Sequence, residues 1–159
     1  MKHVHKSVLL WYSPREMFSL VTAVKDYPQF LPWCDRAQVV EQHADGVTAQ
    51  LSIAFAGVHQ AFTTRNTHVD NHAVHMKLVD GPFSSLEGSW VFTPLQKPKA
   101  ADGQEGDAAD AAACKVEFTL KYAFSSRALS LVVSPVFDRI ANTFVEAFVK
   151  RAEQVYGKR

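Results

Sequence analysis

Cys114-Lys115-Val116-Glu117-Phe118-Thr119-Leu120-Lys121-Tyr122-Ala123-Phe124 places every second side chain in one of two classes. Cys114, Val116, Phe118, Leu120, Tyr122 and Phe124 share an apolar face, and Lys115, Glu117, Thr119 and Lys121 the opposite one. Successive side chains of a strand point to opposite faces, so this is a strand with one wet side and one buried side. Such strands belong to antiparallel sheets. The next periodic segment is helical: Ser134 caps, Pro135 opens the first turn, and Phe137, Ile140, Ala141, Phe144 and Phe148 form an apolar stripe as far as about Tyr156. At ~1.5 Å per residue this helix runs about 33 Å, enough to cross a sheet. A shorter helical piece precedes it from Arg127.

Toward the N-terminus the period of two continues. Asp45-Gly46 signals a hairpin that leads into Val47, Ala49, Leu51, Ile53 and Phe55 on one face, with Thr48, Gln50 and Ser52 on the other. Gly57, Asp70-Asn71 and Asp80-Gly81-Pro82 mark further reversals, so the strands follow one another as a meander. Residues from about His3 to Trp11 read as a first strand. Ser13, Pro14 and Glu16 then form a capping box for a helix to about Val24, with Met17, Phe18, Val21 and Val24 inward. Residues 97–113 are rich in Ala, Asp and Gly and have no apolar period, which reads as a disordered hairpin tip. Strand, helix, meander and long terminal helix give one α+β domain over residues 1–159, a curved antiparallel sheet wrapped around a helix. The volume enclosed between them is a natural place for a ligand.

The 159 residues are 47% hydrophobic and 21% charged, as in an ordinary globular protein. Seventeen basic and 16 acidic residues leave a net charge of +1, too little for a whole-molecule field that draws nucleic acid. No uninterrupted apolar run approaches the ~20 residues of a membrane span, and the N-terminus has no signal-peptide pattern. Two cysteines, Cys34 and Cys114, suit reduced thiols in a cytoplasmic protein.

No Gly-rich phosphate loop, G-x-S-x-G or paired carboxylates appear, and the seven histidines lack zinc-site spacing. The expectation is a binding protein without catalytic residues, metal or cofactor. Rings dominate the candidate pocket: Phe55, Phe62, Phe83, Trp90, Phe92, Phe118, Phe137, Phe144 and Phe148. Cores and apolar pockets use the same residue types, so each ring has a packing role as its alternative. Tyr27, Phe30, Leu31 and Trp33 make Asp26–Cys34 unusually apolar for a connection, either a plug on the core or the mouth of a cavity. Arg65 lies opposite Phe62 if the strand alternates strictly and on the same side if a bulge intervenes, so its facing stays open. Lys150, Arg151, Lys158 and Arg159 complement a helix C-terminus and also suit nucleic-acid phosphates.

Several segments in order carry a family resemblance: Tyr27–Cys34, Phe62-Thr63-Thr64-Arg65-Asn66, Leu78–Phe83, Trp90–Leu95, and Ala147–Ala152 with Val155-Tyr156. Together they resemble the bacterial RatA proteins and the mitochondrial coenzyme Q-binding proteins of the START-like (SRPBCC) polyketide cyclase/dehydrase group. The resemblance implies a helix-grip fold with an apolar tunnel. It also implies binding of ubiquinone or a similar isoprenoid lipid in support of respiration, with transient membrane contact. As an alternative it implies a toxin that blocks association of the ribosomal large subunit with its partner. Oligomeric state is not implied.

Overall fold

The computed structural model describes residues 1–96 and 106–159; the first half of the Ala/Asp/Gly-rich segment, 97–105, lies outside the described residues. Seven strands alternate with few helices: β1 Lys2–Leu10, α1 Pro14–Thr22, a 3₁₀ segment Val24–Gln29, β2 Cys34–His43, β3 Gly46–Phe55, β4 Val58–Val69, β5 Ala73–Asp80, β6 Phe83–Gln96, β7 Ala113–Phe124 and α2 Arg127–Tyr156. The sheet order is β1-β7-β6-β5-β4-β3-β2. Every neighbouring pair is antiparallel. The meander therefore runs from β2 to β7, and β1 closes onto β7 from the other end of the chain.

The alternation of 114–124 governs packing as expected. Cys114, Val116, Phe118, Leu120 and Tyr122 are buried, and they join one continuous core with Phe137, Ile140, Ala141 and Phe148 of α2. Bulges bend the sheet. One puts an extra residue, Val79, in β5 between the pairs Thr64–Leu78 and Thr63–Asp80, and another puts Ser84 in β6. The β5–β6 ladder ends at Lys77–Glu87, so the two strands part beyond it. Ala56 and Gly57 turn the β3–β4 hairpin with φ of 50° and 81°, the left-handed values such two-residue turns require. At Gly46, a Cβ would fall 1.9 Å from the Asn66 carbonyl oxygen, so β3 and β4 approach here only because the side chain is missing.

The capping box of α1 is formed: Glu16 N donates to Ser13 Oγ at 3.0 Å, and Ser13 N donates to Glu16 Oε1 at 2.9 Å. The helix ends at Thr22 rather than Val24, because the chain tightens into the 3₁₀ segment that carries Pro28. The larger correction concerns α2. It starts at Arg127 and is one helix of 30 residues, about 45 Å at ~1.5 Å per residue, with Pro135 inside it. Ser126 is the N-cap, accepting from Leu129 N at 3.1 Å. Pro135 is tolerated because its side of the helix is exposed, where water can serve the carbonyl left unpaired.

By length and composition alone α2 also qualifies as a membrane-spanning helix. Its buried stripe and the bonds of Lys2 to Ser134 and Asp138 lay it on the sheet. The C-terminal half of the low-complexity segment is another departure from expectation. Ala108–Asp110 form a 3₁₀ turn, Ala111 is buried, and Arg15 of α1 holds Asp110 at 2.8 Å.

Candidate functional site

The meander and α2 enclose a chamber. Its floor is the inner face of the sheet: Ala49 and Leu51 of β3, Phe62, Thr64 and Asn66 of β4, Met76, Leu86, Phe118 and Leu120. Its roof is Phe137, Ile140, Ala141 and Phe144 of α2, and its end wall is Val24, Tyr27 and Trp33. Phe62, Thr64 and Asn66 recur every second residue and span about 13 Å of strand at ~3.3 Å per residue. On α2, Phe137 to Phe144 covers a similar length. The open volume is about 60 Å³. That admits a few water molecules and is well short of the roughly 300–1,000 Å³ of ordinary small-molecule sites.

Two polar side chains interrupt the apolar wall. Thr64 Oγ1 donates to Asn66 Oδ1 at 2.7 Å, with both residues buried. Tyr27 is bound outside the chamber, its hydroxyl donating to the Val21 carbonyl at 2.5 Å. Burial raises its pKa, so it stays a neutral phenol. Among the described residues no carboxylate, histidine, lysine or cysteine lines the chamber. Burial also pushes the thiols of Cys34 and Cys114 up, to about 11 and about 12. Both are therefore protonated near neutrality and are poor nucleophiles. Among the described residues no group of three His, Cys, Asp or Glu is placed to hold a metal.

Of the residues singled out in the sequence, Tyr27, Trp33, Phe62, Phe118, Phe137 and Phe144 line the chamber. The others do not. Trp90, Phe92 and Phe148 are fully buried behind the wall, with Trp90 5.0 Å from Phe148 and 5.6 Å from Phe144 between ring centres. Phe83 packs against Phe62, Phe137 and Phe124. Phe55 lies under Arg139. Leu31 is buried, and Phe30 lies beneath the Arg151 guanidinium at 5.1 Å, in a groove on the outer side of the 3₁₀ segment. In the Tyr27–Trp33 connection, Tyr27 and Trp33 face the chamber and Leu31 is buried in the core. Ala49, Leu51, Met76, Leu86 and the Thr64–Asn66 pair were missed. The signal for the pair was present, since Thr64 and Asn66 share the alternation class of Phe62.

With this geometry in place, the comparisons decide the family. The family model "Polyketide cyclase / dehydrase and lipid transport" matches residues 10–149. The chain belongs to that family. A relative from Vibrio cholerae named ribosome association toxin RatA is 40% identical over 158 residues, covering 99% of this chain and all of that protein. A Xenopus laevis protein named mitochondrial coenzyme Q-binding protein COQ10 homolog B is 28% identical, over 96% of this chain and 59% of that protein. A START superfamily protein from Mycobacterium smegmatis shares the fold, with a TM-score of 0.74 at 19% identity over 96% of this chain and 98% of that one. The fold is START-like: a curved antiparallel sheet gripping a long C-terminal helix.

On this START-like sheet the remaining charged candidates fall outside the chamber. The β3–β4 register is unbroken, and the extra residue of the nearby bulge sits in β5, so Arg65 stays on the outer face. There it pairs with Asp45 at 2.9 Å and lines an outer groove with His75, Lys77, Glu87 and Lys121. Two of the C-terminal cations are engaged within the molecule. Arg159 binds Glu16 at 2.6 Å, and Arg151 donates to Gln29 at 2.8 Å.

Proposed function

We propose that this START-like protein binds a neutral isoprenoid lipid, ubiquinone first among them, between the sheet and α2. It carries or shields that lipid for the respiratory membrane, which it touches transiently from the cytoplasm. The observation that carries this reading is the chamber itself: among the described residues it has rings and aliphatic side chains on every side, one buried Thr–Asn pair, and no group that is charged near neutrality. Such a lining favours apolar surface at about 25 cal/mol per Å² and offers a charged ligand nothing. The coenzyme Q-binding name of the Xenopus relative supports the choice of quinone. Binding without chemistry is supported by the protonated thiols and by a lining that lacks an acid, a base or a nucleophile.

Organic extraction of purified protein followed by mass spectrometry tests the reading, together with titration of decylubiquinone read by tryptophan fluorescence. Co-purified ubiquinone and saturable quenching are expected. A protein that yields no quinone and shows no saturable binding overturns it.

A second reading has its own support. The Vibrio relative is named for ribosome association. On the outer face Arg65, Lys77 and Lys121 form a cross-strand row interrupted only by Glu87. In this reading the row meets phosphates of the large ribosomal subunit. Co-sedimentation with that subunit, strong at low salt and lost steeply as salt rises, is its expected signature.

A further inference from the structure

The Thr64–Asn66 pair sits where an apolar chamber has least use for it. Thr64 is 7% exposed and Asn66 8%. The threonine hydroxyl donates to the Asn66 carbonyl oxygen at 2.7 Å. That bond occupies the amide's acceptor side. Among the described residues Asn66 Nδ2 has no acceptor, and it is not fully enclosed, since no fully enclosed side-chain nitrogen or oxygen there lacks a partner. Asn66 lines the chamber, so these donors are available to a ligand within it. Leaving a buried amide's donors unmatched is costly compared with an apolar residue of the same shape. Phe18 of α1 packs edge-on against His68, two residues beyond Asn66, with ring centres 5.9 Å apart. The pair thus marks the α1 end of the chamber, and Phe62 and Phe137 mark the other.

We infer that Asn66 is the head-group anchor of the site, with Thr64 its positioning residue, and that the site selects lipids whose head presents a hydrogen-bond acceptor rather than a donor. This rests on the apolar-ligand reading above and specifies it. A quinone carbonyl lies at the α1 end against Asn66 Nδ2, and the isoprenoid tail runs toward Phe62 and Phe137. Thr64 donates to the amide oxygen and leaves the amide donors for the ligand. Quinone and quinol oxygens can both accept from Nδ2, but the quinol also brings O–H donors into an apolar chamber whose amide acceptor Thr64 already engages, so the oxidised quinone is held more tightly. The protein therefore discriminates between redox states of its ligand without taking part in electron transfer.

Titration of two probes into wild type, Asn66→Leu and Thr64→Val tests this. The probes are decylubiquinone, oxidised or reduced, and decylbenzene, which has a ring and tail but no carbonyl. In the wild type, oxidised decylubiquinone is expected to bind about fivefold to tenfold more tightly than its quinol. Asn66→Leu is expected to remove a similar factor for the quinone while leaving decylbenzene unchanged or tighter. Thr64→Val removes the hydroxyl with little change of volume and is expected to shrink the quinone–quinol ratio even if Asn66→Leu fails to fold. Equal losses for quinone and decylbenzene, or a quinol that binds as tightly as the quinone, would overturn the anchor and leave the chamber reading intact. A wild type that binds neither probe defeats the chamber reading itself.

Discussion

Gly88 lacks a side chain between Met76 and Leu120, its cross-strand partners on either side. A Cβ there would lie 2.9 Å from Leu120 Cδ1, 3.0 Å from Met76 Cε and 3.0 Å from the Thr119 carbonyl oxygen. Leu120 and Met76 both line the chamber, so an added methyl pushes them into the ligand's space. Gly88→Ala is expected to cost about 1–3 kcal/mol of stability by overpacking. If decylubiquinone raises the melting temperature of the wild type, as the proposed function expects, this substitution should diminish that rise. Thermal melts with and without ligand check both effects, and an undiminished shift would mean that the ligand lies elsewhere. This role was hidden in the sequence for the same reason that the wall was only half legible there. Alternation says that Phe62, Trp90, Phe92 and Phe118 are inside, but not which of them face the void. Phe118 reaches it, whereas Trp90 stands behind Phe144 and Phe92 beside Phe18. That difference is set by strand order and sheet curvature, which depend on long-range contacts.

At the scale of elements, α2 depends on two features that its sequence pattern obscured. Pro135 read as a helix start because proline is at home in a first turn, yet Ser126 caps the helix and the proline falls within it. An interior proline forfeits one backbone hydrogen bond and crowds the preceding turn. Since Pro135 is exposed, Pro135→Ala is expected to stabilise the protein by about 1–3 kcal/mol, seen as a higher urea midpoint with an unchanged slope. Leu131 and Val132, 75% and 67% exposed in the preceding turn, are the least supported part of the helix, so amide exchange should slow there first. The second feature is the tie to the sheet. Asp138 accepts from Lys2, Tyr122 at 2.5 Å and Ser134 at 3.3 Å, linking β1, β7 and α2. Burial pulls its pKa upward, but these three bonds outweigh it and hold the carboxyl below the usual aspartate value. A depressed acid stabilises fully above its unfolded value near 4, and the contribution is lost as pH falls from there through the folded value. Asp138→Asn is therefore expected to lower the urea midpoint at pH 7, with the gap to wild type narrowing as pH falls below the ordinary aspartate range. A gap independent of pH would assign the effect to packing. No periodicity announces this tie, because its members are 136 and 16 residues apart in sequence.

For the molecule as a whole, a chamber of about 60 Å³ cannot hold a quinone as it stands. The proposed binding therefore requires a more open state, and its apparent affinity would be the intrinsic one reduced by the population of that state. The part best able to move is on the roof. Phe144 is only partly buried, and its ring leans on Trp33 at 6.0 Å and on Phe118 at 5.3 Å between centres. The floor is held in place by the ladders of six strand pairs. Stopped-flow mixing with decylubiquinone, followed through Trp33 and Trp90, is expected to give a rate that rises with ligand concentration and then levels off at the opening rate. Phe144→Ala removes the ring that fills the gap, so the plateau should rise or disappear. Its stability cost should be less than the roughly 3–5 kcal/mol of a fully buried phenylalanine. A rate that stays linear in ligand concentration for the wild type, and is unchanged by the substitution, would mean that the lipid meets a site already open. Phe144 would then be wall rather than gate.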